Sequence, residues 1–267
     1  MAVSFPGLGL ELELNKIAFT VFNISVHWYA IIMVLAIIAA IIVCRIKNNT
    51  YGIKFENILD LLIYIIPIGF ISARLYYVIF NLNYYIQNPI QIINFRNGGI
   101  AIYGGIIGGI ITAYVFCKKR KINFLDLLDY ISPCLALAQC IGRWGNFINI
   151  EAYGKDTNLL WRMGIIENGI YKEVHPAFLY EAISTFLIFI ILMILQNKRK
   201  FRGQITYIYL ILYSFARFFI ENIRIDSLML FNFRISQILS IIIFVVFCSI
   251  IIYKVRTTRK NSQKIKK

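Results

Sequence analysis

Long runs of apolar residues, separated by short polar segments, constrain this chain more than any other feature of its sequence. A membrane-spanning helix needs about 20 mainly apolar residues. Seven stretches approach that length, near residues 25–44, 58–80, 99–117, 125–142, 176–196, 204–221 and 235–253. A chain of 267 residues that is 59% hydrophobic and only 15% charged is too apolar for a soluble protein. The sequence therefore predicts an all-α integral membrane protein with seven transmembrane helices.

The positions of the basic residues predict how the chain crosses the membrane. Most of the 28 lysines and arginines lie in alternate loops and in the C-terminal segment. They are Arg45, Lys47, Lys54, Lys118, Lys119, Arg120, Lys121, Lys198, Arg199, Lys200, Arg202, Lys254, Arg256, Arg259, Lys260, Lys264, Lys266 and Lys267. Because cytoplasmic loops are enriched in Lys and Arg, we expect the N-terminus outside and the C-terminus in the cytoplasm. The net charge of +15 then reflects topology, and binding to nucleic acid is not expected.

The chain is expected to form one membrane domain over residues 1–255, followed by a basic cytoplasmic tail over residues 256–267. The first apolar run follows acidic residues and has no small-residue cleavage site, so we interpret it as a retained span. Residues 143–174 are predicted to be an outer loop that forms a small cap. The five cysteines show no CxxC spacing, so neither a metal site nor a disulfide framework is expected.

One polar segment, residues 142–154, follows directly after an apolar run and reads GRWGNFINIEAYG. Polar and ionisable groups at the edge of a bilayer are costly, and they commonly mark functional sites. The candidate site residues in this segment are Arg143, Asn146, Asn149, Glu151 and Gly154. We therefore expect this segment to bind a ligand near the outer surface of the membrane.

A second polar group lies at the end of the sixth apolar run. Tyr213, Arg217, Glu221 and Arg224 recur at helical spacing and should project from one helix face. Arginine forks match phosphate geometry and stay charged, so this face resembles an anion site. Alternatively, Arg217 and Glu221 pair with each other, which leaves Arg143 and Arg224 without partners. A phospholipid headgroup is the phosphate ligand available at this depth.

Four further residues are singled out by their positions. Tyr29 belongs either to an interfacial aromatic belt or to a ligand site. Arg74, inside the second run, faces a partner or a cavity, or extends to the interface. The glycines around Tyr103 fit close helix packing or a broken backbone that lines a cavity. Glu181 lies about one turn inside the fifth run, where we expect it to pair with a cation or a buried polar group.

The sequence contains neither a phosphate-binding P-loop nor an HExxH motif, so no metal or other cofactor is expected. An arginine-rich pocket that binds a lipid phosphate can stabilise that phosphate as a leaving group. The residues by themselves indicate a lipid-phosphate binder or a transferase that uses phospholipid. A transporter or receptor would need polar residues across the whole membrane, whereas the unpaired polar residues here cluster toward the outer half.

The segment GRWGNFINIEAYG resembles the signature of the bacterial prolipoprotein diacylglyceryl transferases. Further matches are HWY, NGGIAIYGG, HPAFLYE and YSFARFFIENIR, together with Asp129, Pro133 and Gln139. The resemblance implies a multi-pass enzyme of the bacterial cell membrane with seven spans. It implies transfer of the sn-1,2-diacylglyceryl group of phosphatidylglycerol to the lipobox cysteine of a prolipoprotein, with release of glycerol phosphate. Its partners would be these two substrates and membrane lipids, and the protein is expected to be a monomer.

The resemblance also implies roles for single residues. Arg143 and Arg217 would hold the headgroup phosphate and stabilise its charge as it leaves. Asn146, Asn149, Glu151 and Gly154 would shape the headgroup pocket, and Tyr29 would line it. Glu221 and Arg224 would orient Arg217 or gate access, and Tyr213 would support that helix.

The sequence departs from the family pattern at two positions. Tyr103 stands where the family usually has a histidine that is favoured as the base for the thiol. A free phenol has a pKa of about 10, so we expect Tyr103 to orient the headgroup or the thiol by hydrogen bonding. A thiol of pKa about 8.5 can then be deprotonated with the help of the positive pocket. Phe178 stands where the family often has glutamine, which removes a hydrogen-bonding group near Glu181.

Overall fold

The computed structural model describes residues 2–94, 98–227, 229–231 and 233–265, and helices dominate this part of the chain. The helices are α1 (Trp28–Ile46), α2 (Phe55–Phe80), α3 (Leu82–Gln87), α4 (Ile102–Arg120), α5 (Phe124–Asn149), α6 (Ala177–Gln196), α7 (Gln204–Ile223) and α8 (Ile235–Ile265). Short 3-10 turns lie at Pro6–Leu8, Thr50–Gly52 and Pro89–Ile93. Asn97 of the NGGIAIYGG match and Lys266 and Lys267 of the basic tail lie outside the described residues.

Within the described residues, five helices are long and apolar enough to cross a membrane. These segments are Trp28–Ile46, Phe55–Phe80, Phe124–Asn149, Ala177–Gln196 and Ile235–Thr258. The chain is therefore a multi-pass helical membrane protein. Helices α4 and α7 also cover predicted spans but are less apolar. Glycines and terminal cations lower the hydropathy of α4, and Arg217 and Glu221 lower that of α7.

The chain divides into two compact units. The first comprises residues 1–43 and 128–267, and the second comprises residues 44–127. In the second unit, α2 and α4 pack against each other through the glycines of α4. A Cβ atom at Gly104 would lie 2.9 Å from the Cα of Ala73, and one at Gly108 would collide with Ser72. Because α4 is a continuous helix, close packing is the correct interpretation of these glycines, and the alternative of a broken backbone is wrong for residues 102–120.

The cap predicted as a loop contains regular β-structure, which corrects the all-α interpretation of this region. The strands are β1 (Ala2–Phe5), β2 (Leu10–Glu13), β3 (Ile17–Val21), β4 (Ile24–His27), β5 (Met163–Glu167), β6 (Ile170–Val174), β7 (Met229–Leu230) and β8 (Phe233–Arg234). An antiparallel sheet has the order β2-β1-β5-β6, whereas β3-β4 and β7-β8 form separate hairpins. In β1 and β5, Ser4 pairs with Gly164. A local sequence pattern cannot predict pairing between strands that lie so far apart in the chain.

The four-stranded sheet packs on the C-terminal end of α5. Val3, Ile165 and Val174 contribute from the strands, and Phe147 and Phe178 contribute from α5 and α6. The Phe147 and Phe178 rings stack with their centroids 4.6 Å apart. Phe178 therefore contributes apolar packing where the family often has glutamine. The sheet thus fixes the position of the helix end that carries the GRWGNFINIEAYG segment.

Candidate functional site

The GRWGNFINIEAYG segment begins as helix and ends as a sharp turn. Helix α5 continues to Asn149, so the first half of the segment is helical, although the outer loop was predicted to begin at 143. Glycine is tolerated in a helix, and nothing else in this stretch stops one. The chain then turns at Ile150 (φ 53°) and Ala152 (φ 57°), both in the left-handed region that disfavours such residues. Between them, the N–H of Glu151 donates to the carbonyl of Asn146 at 3.0 Å.

This turn brings the polar side chains of the segment together. The Nδ2 atoms of Asn146 and Asn149 donate to Oε1 of Glu151 at 3.0 and 3.3 Å. Nη1 of Arg143 donates to Oδ1 of Asn146 at 3.4 Å. The Glu151 carboxylate thus holds both amides, and one of these amides contacts the arginine. These contacts orient Arg143 from the side of its own helix.

Glu181 of α6 is the centre of the site, because three arginines converge on its buried carboxylate. Arg143 forms an ion pair with Oε2. Nη1 of Arg217 and Nη1 of Arg224 donate to Oε1 at 2.8 and 2.7 Å. The Glu181 side chain is only 5% exposed. The prediction that Glu181 pairs with a cation is confirmed, and a carboxylate bound to three guanidinium groups is a strong electrostatic anchor.

Two other carboxylates each contact one of these three arginines. Asp226 accepts bonds from Nε and Nη2 of Arg224 at 2.8 and 2.6 Å, so that guanidinium is held on both sides. Glu221 lies 2.5 Å from Nη2 of Arg217. Burial alone would raise the pKa of Asp226, but its hydrogen bonds with Arg224 outweigh burial and hold that pKa below its usual value. Arg143 is 21% exposed and Arg224 only 11%, so Arg143 is the more open of the two.

These ion pairs test the alternative that Arg217 and Glu221 of α7 simply pair with each other. Arg217 and Glu221 do pair, but Arg143 and Arg224 are not left without partners, so that expectation is wrong. Both find Glu181, which lies far away in the sequence. The hub role of Glu181 and the contribution of Asp226 were missed. A signal was present for Glu181, a carboxylate inside an apolar run, but it did not identify its partners.

Gly154 is held by backbone contacts that leave no room for a side chain. Its N–H donates to the carbonyl of His175 at 2.9 Å, and it forms an isolated β-bridge with Arg224. A Cβ atom here would lie 2.7 Å from Cβ of His175 and 3.1 Å from the carbonyl oxygen of Ile223. Gly154 therefore joins the end of the signature segment to the end of α7. Burial lowers the pKa of the neighbouring His175.

Two tyrosines of the predicted site lie in the same unit. A Cβ atom at Gly145 would be 2.7 Å from the ring of Tyr29, so this ring lies directly against α5. The charges of Glu151 and Arg143 both act on the Tyr29 hydroxyl. Tyr213 stacks on Tyr209 with ring centroids 5.8 Å apart, which agrees with a supporting position on α7.

Tyr103 and Arg74 belong to the second unit. Tyr103 is the second residue of α4 and is half-buried, and its contribution to the site stays a prediction. Arg74 is buried on α2, where backbone carbonyls surround its guanidinium. Its five bonds of 2.5–2.9 Å go to the carbonyls of Gln91, Ile92, Asn94, Gly98 and Gly99. Arg74 therefore faces partners and fixes the segment before α4.

The described residues contain no group of three or more His, Cys, Asp or Glu side chains that could hold a metal ion. The arrangement offers instead three guanidinium groups and two amides at the junction of α5, α6 and α7. Guanidinium and amide groups donate hydrogen bonds, so this arrangement is suited to a phosphate or another oxyanion.

Fold and site together define a class: a multi-pass helical membrane protein with a cluster of three arginines around a buried carboxylate at the junction of three helices. Comparison with known families specifies this class further. The model of the prolipoprotein diacylglyceryl transferase family matches residues 16–253, which include every candidate site residue. The chain belongs to this family.

Three similar proteins share one name, and each aligns with this chain over more than 90% of its own length. A phosphatidylglycerol–prolipoprotein diacylglyceryl transferase of Clostridioides difficile (strain 630) is 48% identical over 229 residues, covering 86% of this chain and 91% of that protein. The protein of that name from Finegoldia magna is 47% identical over 233 residues, covering 87% and 92%. The one from Clostridium novyi (strain NT) is 42% identical over 257 residues, covering 94% and 100%.

Proposed function

We propose that this protein transfers the sn-1,2-diacylglyceryl group of phosphatidylglycerol to the lipobox cysteine of prolipoproteins, the first step of lipoprotein maturation. Family membership supports the reaction. The observation that carries the proposal in this chain is the convergence of Arg143, Arg217 and Arg224 beside the amides of the signature segment. The guanidinium and amide donors of this arrangement match the hydrogen-bonding geometry of a phosphodiester.

The hydrogen bonds of the three arginines support different roles. Asp226 and Glu181 engage Nε and both Nη atoms of Arg224, so we assign it to support. Within the described residues, Nε of Arg143 makes no hydrogen bond, and its bond to Asn146 is long at 3.4 Å. Arg143 can therefore donate to a phosphate without breaking its ion pair with Glu181. Arg217, 18% exposed, contributes the second charge across the site.

The reaction increases negative charge on the phosphate, which is where the arginines act. The cysteine sulfur attacks the diacylglyceryl carbon bonded to the phosphate oxygen and forms the thioether. The C–O bond breaks, and its electron pair stays with the oxygen. The phosphodiester, which carried one negative charge, leaves as glycerol phosphate, which carries two. Fixed donors aimed at developing charge lower the barrier by electrostatic stabilisation. The proton of the thiol is lost to water or to a group near the site, with the positive charges favouring the thiolate.

The remaining predicted residues complete this proposal. Asn146, Asn149, Glu151 and Gly154 shape the headgroup pocket, and Tyr29 lines it. Glu221 and Arg224 orient Arg217, and Tyr213 supports α7. Tyr103 orients the headgroup or the thiol by hydrogen bonding.

The membrane arrangement proposed with this function has seven spans, including α4 and α7, with the N-terminus outside. The protein would lie in the cytoplasmic membrane as a monomer and take its lipid substrate from the surrounding bilayer. The basic residues at or after the C-terminal ends of α1, α4 and α6 and in the C-terminal part of α8 support this topology, because such clusters favour the cytoplasmic side.

A transfer assay tests the function and the site. The purified protein is reconstituted with phosphatidylglycerol labelled in its acyl chains and with a lipobox peptide, and the thioether product is quantified. We expect product with the wild type and a loss of about 100-fold or more in kcat/KM for Arg143→Ala and Arg217→Ala, as for other groups that stabilise developing charge. Tyr103→Phe should lower the rate measurably through the loss of one hydrogen bond.

Arg162→Ala is the matched control, since Arg162 pairs with Glu173 in the sheet region. It removes the same charge and side chain, and the rate should stay near that of the wild type. If the wild type bound the lipid but formed no thioether, the protein would be a lipid binder and the enzyme proposal would fail. An unchanged rate in Tyr103→Phe would eliminate the role given to that hydroxyl.

A further inference from the structure

The hairpin formed by β3 and β4 projects from the fold with both faces exposed. Within the described residues, the two strands pair only with each other, and a two-residue turn at Phe22 and Asn23 joins them. An isolated two-stranded hairpin is marginally stable in water. Some contact beyond the protein itself should therefore stabilise this one.

The two faces of the hairpin differ in polarity. Phe19 lies opposite Val26 and Val21 lies opposite Ile24, so these four apolar side chains share one face. Thr20 lies opposite Ser25 on the other face. Phe19, Val21 and Ile24 are 53%, 45% and 54% exposed. The hairpin therefore presents an apolar face without a partner and a polar face behind it.

Phe22, the apolar residue of the turn, has a backbone conformation that is unfavourable for it. Phe22 has a φ of 46° and Asn23 a φ of 60°, the conformation in which asparagine and glycine are preferred. The Phe22 side chain is 96% exposed, so no contact within the described fold offsets this strain. An apolar partner for this ring has to come from outside the chain.

The sequence around the hairpin identifies that partner as lipid. No Asp, Glu, Lys or Arg lies between Lys16 and Arg45, a stretch that contains both the hairpin and α1. A span alone needs only about 20 such residues, so the absence of charge extends beyond what α1 requires. The hairpin is continuous with the membrane-crossing surface, because β4 ends at His27 and α1 begins at Trp28. Trp28, 42% exposed, is the kind of residue found at membrane interfaces.

We propose that the β3-β4 hairpin lies flat on the bilayer and inserts its apolar face into the leaflet at the N-terminal end of α1. Strands rise about 3.3 Å per residue, so an upright hairpin would carry Ile24 about 13 Å beyond Trp28 and Phe22 farther still. The headgroup layer on each side is only about 5–8 Å thick, and an upright hairpin would expose its apolar face to water. Lying flat, Phe19, Phe22 and Ile24 reach the boundary between headgroups and acyl chains.

Photocrosslinking in a bilayer tests this placement. Phe19→p-benzoylphenylalanine is prepared in the full-length protein, reconstituted in nanodiscs of phosphatidylglycerol and phosphatidylcholine, irradiated and analysed by mass spectrometry of the hairpin peptide. The matched control is Thr20→p-benzoylphenylalanine, on the polar face of the same hairpin. We expect lipid adducts at position 19 to exceed those at position 20 by about fivefold or more, because successive strand residues point to opposite faces.

Phe22→Asn provides a second measurement that does not depend on a bulky label. Asparagine suits this turn, so the variant should fold at least as well as the wild type and should leave the hairpin less protected from protease in nanodiscs. Equal lipid adducts at positions 19 and 20, adducts only to a second protein copy, or no lipid adducts at position 19 would each overturn the proposal. So would unchanged protease protection in Phe22→Asn.

Discussion

Glu181 shows how much of the site depends on one carboxylate. Its two oxygens contact Arg143, Arg217 and Arg224, which come from α5, α7 and the end of α7. Without this charge, the three guanidinium groups would repel one another in a site where solvent screens them weakly. The same side chain therefore determines both where the arginines lie and whether they can lie together.

We expect Glu181→Gln to destabilise the protein by about 3 kcal/mol, because it leaves buried charges without their partner. The apparent Tm in detergent should fall by several degrees. The control is Glu173→Gln, which breaks the partly exposed pair with Arg162 and should cost about 1 kcal/mol or less. A Glu181→Gln variant as stable as Glu173→Gln would refute this account of the site.

Arg74 has a different role, since it donates hydrogen bonds to five backbone carbonyls between Gln91 and Gly99. Arg74→Lys keeps the charge but supplies three donors, so at least two carbonyls lose their bond. We expect a loss of about 2 kcal/mol and faster hydrogen exchange in residues 88–101. Arg120→Lys, in the exposed pair with Asp60, is the control. Equal exchange in the two variants would show that the carbonyl contacts of Arg74 do not hold this segment.

At the scale of elements, α7 is fixed at both ends by side chains and backbone from other elements. Near its N-terminus, the fully buried Asp129 of α5 accepts bonds from the N–H groups of Gly203 and Thr206 at 2.7 and 2.9 Å. It also accepts bonds from the Thr206 hydroxyl and from Arg199, both at 2.9 Å. A carboxylate at a helix N-terminus satisfies free N–H groups and complements the helix dipole. This contact sets the register of the helix that carries Arg217.

Asp129→Asn should therefore weaken the protein although it changes only one atom of the side chain. The amide presents N–H groups to donors, which leaves buried N–H groups unpaired at a cost of about 2–4 kcal/mol. Thr206→Val removes only one of these bonds and should cost about 1 kcal/mol. Thermal unfolding of both variants checks this order, and a smaller loss for Asp129→Asn than for Thr206→Val would contradict it.

The elements differ in how well the sequence reveals them. The helices could be located because lipid requires long apolar runs, and a helix covers each of the seven predicted segments. The sheet could not be located from the sequence, because β1 pairs with β5 across more than half the chain and neither strand is long. The same limit applies to the site. Its residues were recognised from a local segment and a helical stripe, but the partners of Arg143 and Arg224 lie on other elements.

At the scale of the whole molecule, the distribution of charge and the distribution of apolar residues give different levels of detail. In the part of the chain that the structure describes, five helices are long and apolar enough to cross a membrane. The two less apolar helices, α4 and α7, carry Tyr103 and Arg217. Glycines and terminal cations lower the hydropathy of α4, and Arg217 and Glu221 lower that of α7, so apolar composition alone does not decide whether these helices cross. The charges flanking these helices then become the better guide to whether they cross.

Accessibility of single cysteines tests the proposed seven spans. In a variant whose native cysteines are replaced, cysteines introduced at Lys121 and Ile100 flank α4, and cysteines at Arg202 and Ile225 flank α7. If α4 and α7 cross, a membrane-impermeant maleimide added to intact cells should label positions 100 and 225 only. Positions 121 and 202 should react only after the membrane is opened, because their basic surroundings favour the cytoplasm. Labelling of both flanks of either helix from the same side would show that this helix does not cross and would reduce the number of spans.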